Sequence, residues 1–114
     1  MKRFCYALDL KDDPSLIAEY DRWHSAGNGW PEIKNAIVGA DITAMEIYRT
    51  GNRLFMIMEV ADSFSFERKA ELDAANPRTQ DWEELMWKFQ QPLPWAKENE
   101  KWVLMQLIFD LEVA

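Results

Sequence analysis

The chain carries one histidine, one cysteine and four glycines in 114 residues, and it has no long apolar run. Each shortage removes a class of chemistry. The lone cysteine, Cys5, excludes an internal disulfide and any cluster of thiolate ligands. It sits in a strand-like segment, without the adjacent base or helix N-terminus that activates a thiol, and reads as a small core hydrophobe. With only one histidine besides, a zinc site would lean on carboxylates, so no metal is expected. No segment approaches the ~20 apolar residues of a membrane span. Asp9 interrupts the N-terminal segment before the roughly 7–15 apolar residues of a signal peptide can accumulate, which predicts a cytoplasmic protein. Basic charge is also scarce. Thirteen Lys and Arg against 20 Asp and Glu give a net charge of −7, and such a surface repels nucleic acid and anionic membranes alike. A neutral small molecule meets no such repulsion.

What the chain has in quantity is aromatic surface: six Trp, six Phe and three Tyr. Tryptophan combines a flat apolar face with one N–H donor, which suits cores, subunit interfaces and carbohydrate or aromatic ligands. The hydrophobic fraction of 48% is ordinary for a globular protein, and the length fits one domain, residues 1–114.

Periodicity divides the chain. Residues 2–10 alternate Phe4, Tyr6, Leu8 and Leu10 with smaller or polar residues, as a half-buried strand does. Asp13-Pro14 supplies a cap and a first-turn proline for a helix from 14 to 23 or 24, and Ser25-Ala-Gly-Asn-Gly ends it. Trp30-Pro31-Glu32 restarts a short helix over 31–38, which Gly39 stops. Residues 42–49 form a strand with Ile42, Ala44, Glu46 and Tyr48 on one side and Thr43, Met45 and Ile47 on the other. Thr50-Gly-Asn-Arg turns the chain into the apolar strand 54–60. Helices follow at 64–73 and 78–90, the second ended by Pro92 and Pro94. Alternation from 102 to 113 predicts a long closing strand. The order is that of an α+β, ferredoxin-like β-α-β-β-α-β fold with a four-stranded antiparallel sheet. Helices cover one face of such a sheet. A second copy of the chain is expected to cover the other, making a homodimer with a ligand cavity between sheet and loops.

His24 is the one residue type able to give and take protons near neutral pH. Tyr20 precedes it by four residues, so a helix stacks phenol and imidazole on one face. Beyond the glycine-rich turn, Trp30 and Glu32 can return an aromatic face and a carboxylate toward it. The plainer alternative is an amphipathic helix ending in a capping histidine.

These residues carry a resemblance. Tyr20-(x3)-His24, Trp-Pro-Glu-Ile from Trp30, the strand Ala44-Met-Glu-Ile-Tyr48, the hairpin from Asn52 to Glu59 and Gln80-Asp-Trp82 resemble, in order and along nearly the whole chain, the L-rhamnose mutarotase family, and within it a branch associated with L-fucose. The resemblance implies a cofactor-free dimeric enzyme that interconverts the α and β anomers of a 6-deoxyhexose. It implies His24 as proton donor, Tyr20 as a sugar contact and Trp82 as one of two adjacent tryptophans that contact sugar. Here the neighbour is Glu83, the family's other substrate tyrosine falls at Met45, and two extra residues separate His24 from Trp30. These departures count against rhamnose as the substrate. Each residue also has a plainer role: Trp82 and Met45 as core, Glu83 as a solvated helix residue. A cofactor-free monooxygenase or isomerase on the same scaffold, and a sugar-binding dimer without activity, are the competing readings, because fold alone does not fix function.

Overall fold

Alternating apolar residues set the first strand of the computed structural model, which describes residues 2–113: β1 runs Lys2–Leu10. Asp13 then caps α1, Pro14–Trp23, its carboxylate accepting from the amides of Ser15 and Leu16 at 2.9 and 3.1 Å. His24 is the C-cap. After the glycine-rich turn come α2, Pro31–Gly39, and the hairpin of β2, Ile42–Thr50, with β3, Arg53–Val60. Only Gly51 and Asn52 separate these strands. Gly51 takes φ 56°, which a type II′ turn requires at its first central position and which glycine adopts without steric cost. Asn52 latches this turn to the end of β1 by accepting from the Leu10 amide at 2.7 Å and donating to the Leu10 carbonyl at 3.1 Å.

Ser65 caps α3, Phe66–Ala75, and Asn76 caps α4, Pro77–Trp87, so the first of these starts two residues later than patterning alone suggests and the second ends three residues earlier. The sheet order is β2-β3-β1-β4, all antiparallel, with β1 paired to β3 from Lys2↔Val60 to Asp9↔Arg53. This is the ferredoxin-like arrangement expected.

Two strand expectations are corrected. The long strand over 102–113 is absent. The place of the fourth strand is shared by two short pieces, β4, Gln90–Gln91, and β5, Val103–Leu104, both on β1. The returning chain pairs with β1 only at Tyr6 and Ala7, with one further bond from the Met105 amide to the Cys5 carbonyl, and then leaves the edge of β1 open. Beyond that point Leu107, Ile108, Phe109, Leu111 and Val113 stand exposed, Ile108 at 92%. Alternation describes a strand that has a face to bury, and this single chain offers none there. The second correction is a bulge in β2 between Ile42 and Ala44. The extra residue switches faces, so Ile42 shares a cluster with Met45 instead of opposing it.

The helix-facing side of the sheet holds the core. Leu10 and Leu54 pack with Tyr20, Met86 and Phe89, while Met58, Val60, Ile42 and Ala40 form a second cluster. The opposite side carries Cys5, Ala7, Phe55, Ile57 and a half-exposed Tyr48. There Asp9, 6% exposed, is held by both arms of Arg53 at 2.8 and 3.1 Å.

Candidate active site

The helix α1 does what an i, i+4 spacing requires: the Tyr20 and His24 rings lie 4.2 Å apart, tilted by 32°. His24 Nδ1 lies 2.8 Å from the Tyr20 carbonyl oxygen. A carbonyl only accepts, so Nδ1 carries the proton and the neutral ring keeps its lone pair on Nε2. The same bond survives when the ring is doubly protonated. His24 as a residue is exposed, although its ring packs on Tyr20.

Trp82 joins this imidazole to a cavity. Its indole lies 6.0 Å from the His24 ring, 5.9 Å from Trp23 and 5.2 Å from Trp30, each edge to face. Trp30 is the N-cap of α2, held on its other side by the Arg78 guanidinium 4.0 Å from its ring. Glu32 approaches Arg78 at 3.6 Å, so this carboxylate faces a cation and not His24.

The cavity, about 400 Å³, lies between the sheet and helices α2, α3 and α4. Met45, Met56, Met58 and Ile37 give it an apolar wall; Trp82, Glu83 and the Lys69–Asp73 ion pair, at 2.6 Å, give it a polar one. Lys101 and Trp102 reach it from the segment before β5. The Lys101 ammonium donates to the Glu83 carbonyl at 3.1 Å and lies 4.6 Å from the Trp87 ring. Burial pulls its pKa below the usual lysine value, with the Glu83 carboxylate opposing.

Of the residues singled out from the sequence, Trp82, Met45 and Glu83 line the cavity. His24 and Trp30 are not in its lining; each packs against Trp82, which is. Tyr20 is 3% exposed and lies behind the wall, its hydroxyl bonded to the Gln90 side chain, and desolvation pushes its pKa up to about 12. Gln90 and Lys101 escape sequence reasoning. A lone glutamine after a helix and a lysine in a proline-broken segment have no local pattern, and only the fold brings them to the cavity. Among the described residues, no three His, Cys, Asp or Glu side chains gather as a metal site, and no helix is long and apolar enough to cross a membrane.

Comparison with known proteins gives consistent results. The sequence profile of L-rhamnose mutarotase matches residues 3–111. An L-fucose mutarotase from Xanthomonas campestris pv. campestris is 46% identical over 114 residues, all of this chain and 91% of that protein. A UPF0734 protein from Dictyostelium discoideum is 36% identical over 97% of this chain and 90% of its own length. The crystal structure of an L-rhamnose mutarotase from Formosa agariphila superposes with a TM-score of 0.69 at 18% identity, covering 97% of this chain and 99% of that one. A tetracenomycin F2 cyclase from Streptomyces glaucescens superposes at 0.57 with 13% identity, covering 96% of each chain. The last two show a shared fold.

Proposed function

The chain belongs to the L-rhamnose mutarotase family and is a sugar mutarotase, an isomerase; from that premise we propose that it interconverts the anomers of a 6-deoxyhexose, L-fucose in preference to L-rhamnose, with His24 as the acid and base. The 46% identity to an L-fucose mutarotase along the whole chain supports the choice of sugar. Two of the departures from the rhamnose pattern, Met45 and Glu83, lie in the cavity wall and support it too.

Anomer exchange requires the O1 proton to leave and the ring oxygen O5 to gain one as the C1–O5 bond breaks. The aldehyde then rotates and O5 adds to its other face. The reaction is proton-neutral, so one imidazole can carry the proton from O1 to O5 and return it. The Nδ1–Tyr20 carbonyl bond is the observation that carries this role. It fixes Nε2 as the lone-pair nitrogen, holds the ring in place and stabilises the imidazolium formed in between. Trp82 and Trp30 then offer aromatic faces to the C–H side of the pyranose, while Met45 and Glu83 contact it from the wall. Tyr20 acts from behind the wall, through its carbonyl on His24 and its hydroxyl on Gln90.

The working unit in this reading is a cytoplasmic homodimer. The apolar tail 105–113 and the outer sheet face around Phe55, Ile57 and Tyr48 support a second copy as their cover. The free Cys5 thiol fits a reducing compartment.

Saturation-transfer NMR on equilibrated L-fucose and L-rhamnose tests the proposal, because it reads exchange between anomers directly. Exchange is expected to be faster with L-fucose and to fall about 10²–10⁴-fold in His24→Ala. Unchanged exchange in that variant overturns the role of His24, and faster exchange of L-rhamnose overturns the choice of sugar.

A further inference from the structure

The least exposed residues of α3 are charged. Within Phe66–Ala75 every residue is exposed except Lys69 and Asp73, whose side chains keep 33% and 23% of their surface, while Leu72 stands 43% exposed. Phe66, Lys69, Ala70 and Asp73, at i, i+3, i+4 and i+7, all line the cavity, so this stripe is the face that α3 turns toward it. A helix ordinarily gives such a stripe to apolar side chains. Here two of its four positions hold an ion pair joined at 2.6 Å.

The pair does little for the helix itself. Its order is basic then acidic, the weaker arrangement at i, i+4, and it sets the Asp73 carboxylate in the last turn, at the negative end of the helix dipole. Asp73 is nonetheless firmly placed. Its backbone carbonyl accepts from the Gln80 side chain at 2.8 Å and from the Asn76 amide at 3.3 Å, which ties it to the start of α4. The carboxylate meets Lys69 through Oδ2, and among the described residues neither charged group has a second partner, which leaves Oδ1 and two ammonium N–H groups over. Glu83 and Lys101 are the other charges of the cavity wall. Two cations and two anions balance there, so a neutral ligand meets no net charge.

We propose that Lys69 and Asp73 clamp a ring hydroxyl of the sugar, the ammonium donating to its oxygen and the carboxylate accepting from its O–H. This rests on the mutarotase reading and deepens it, assigning two substrate-binding residues that set which hydroxyl the enzyme demands. A hydroxyl is donor and acceptor at once, and a cation beside an anion satisfies both with charge-assisted bonds. A site built to hydrogen-bond a hydroxyl rejects the analogue that lacks it.

The test uses the whole chain, with the sugar it exchanges, L-fucose on the reading above, and the 2-, 3- and 4-deoxy analogues of that sugar. Saturation transfer measures anomer exchange and calorimetry measures binding. Lys69→Met and Asp73→Asn keep size and remove one charge each. Each is expected to raise KM about tenfold with kcat little changed, and to lose the wild-type discrimination against one and the same deoxy analogue. Melting temperatures are expected to stay within about 2 °C of the wild type, since a partly exposed ion pair adds little stability. The double variant Lys69→Glu with Asp73→Lys keeps an ion pair in the order a helix favours. It is expected to melt no lower than the wild type and still to show the raised KM, whereas a purely structural pair predicts a wild-type KM there. Wild-type KM in the single variants overturns the inference, and so does a raised KM with the discrimination intact. If the wild-type protein binds the sugar without exchanging its anomers, the mutarotase reading fails and the clamp is judged on binding alone; if it binds neither L-fucose nor L-rhamnose, both fall.

Discussion

Burial keeps Tyr20 a phenol across the physiological range, with its pKa pushed up to about 12. In the unfolded chain the same group titrates near 10, so above that pH the unfolded state sheds a proton that the folded state retains. The stability from this tyrosine is therefore full below pH 10 and is lost as the pH rises toward 12. The loss should amount to roughly 2–3 kcal/mol. Melting temperatures at pH 9 and 11.5 should fall less in Tyr20→Phe than in the wild type, and an equal fall in both would show that Tyr20 does not drive the alkaline transition. Tyr20→Phe also removes the hydroxyl that holds Gln90 while leaving the carbonyl on His24, so it is expected to weaken sugar binding more than turnover. At this scale the sequence was legible where chemistry is local. His24 and Tyr20 announce each other by a four-residue spacing on one helix. Thr79, Gln90 and Lys101 come together only after α4 and the interrupted fourth strand are in place, and nothing in their immediate neighbours signals it.

The helix α1 presents both Tyr20 and His24, and its start depends on one side chain. Asp13 satisfies two amides of the first turn, so Asp13→Ala is expected to cost about 1 kcal/mol in urea denaturation, with exchange activity retained in the fraction still folded. No change in the unfolding midpoint would mean that Pro14 and the packing of Leu16 and Ile17 set the helix without the cap. The caps and prolines of α1 and α2 were readable because they act within one turn. The bulge in β2 was not. Strict alternation places Ile42 opposite Met45, yet both are drawn to the helix-facing side because each has apolar surface to bury there. The closing strand 102–113 stops short for a related reason: its apolar alternation has no face to bury in the single chain, so pairing ends at Leu104 although the edge of β1 ahead of it is open.

At the scale of the whole molecule, an acidic chain of net charge −7 carries an uncovered apolar tail and a half-covered sheet face. Self-repulsion keeps such molecules apart unless buried area outweighs it. For the dimer proposed above, Ile108→Asp combined with Phe109→Asp is expected to shift sedimentation to the monomer while the far-ultraviolet circular dichroism of the helices persists. A dimer that survives both charges would place the contact elsewhere. High salt should tighten the proposed dimer by screening the acidic surfaces.

The break between β4 and β5 has a consequence for how this cavity can change. A continuous fourth strand would bind every residue to the register of β1, and one insertion would turn the following side chains to the other face. Here the chain leaves the sheet at Gln91 and returns at Val103, bringing Lys101 and Trp102 to the cavity just before it docks again. Beyond the buried Leu93 and the Trp95 ring on Arg53, residues 96–100 can therefore lengthen or shorten without moving a hydrogen bond of β1, and each change in length re-aims the two side chains that close the wall. Such a segment is a natural place to retune sugar preference while the imidazole and its helix stay fixed.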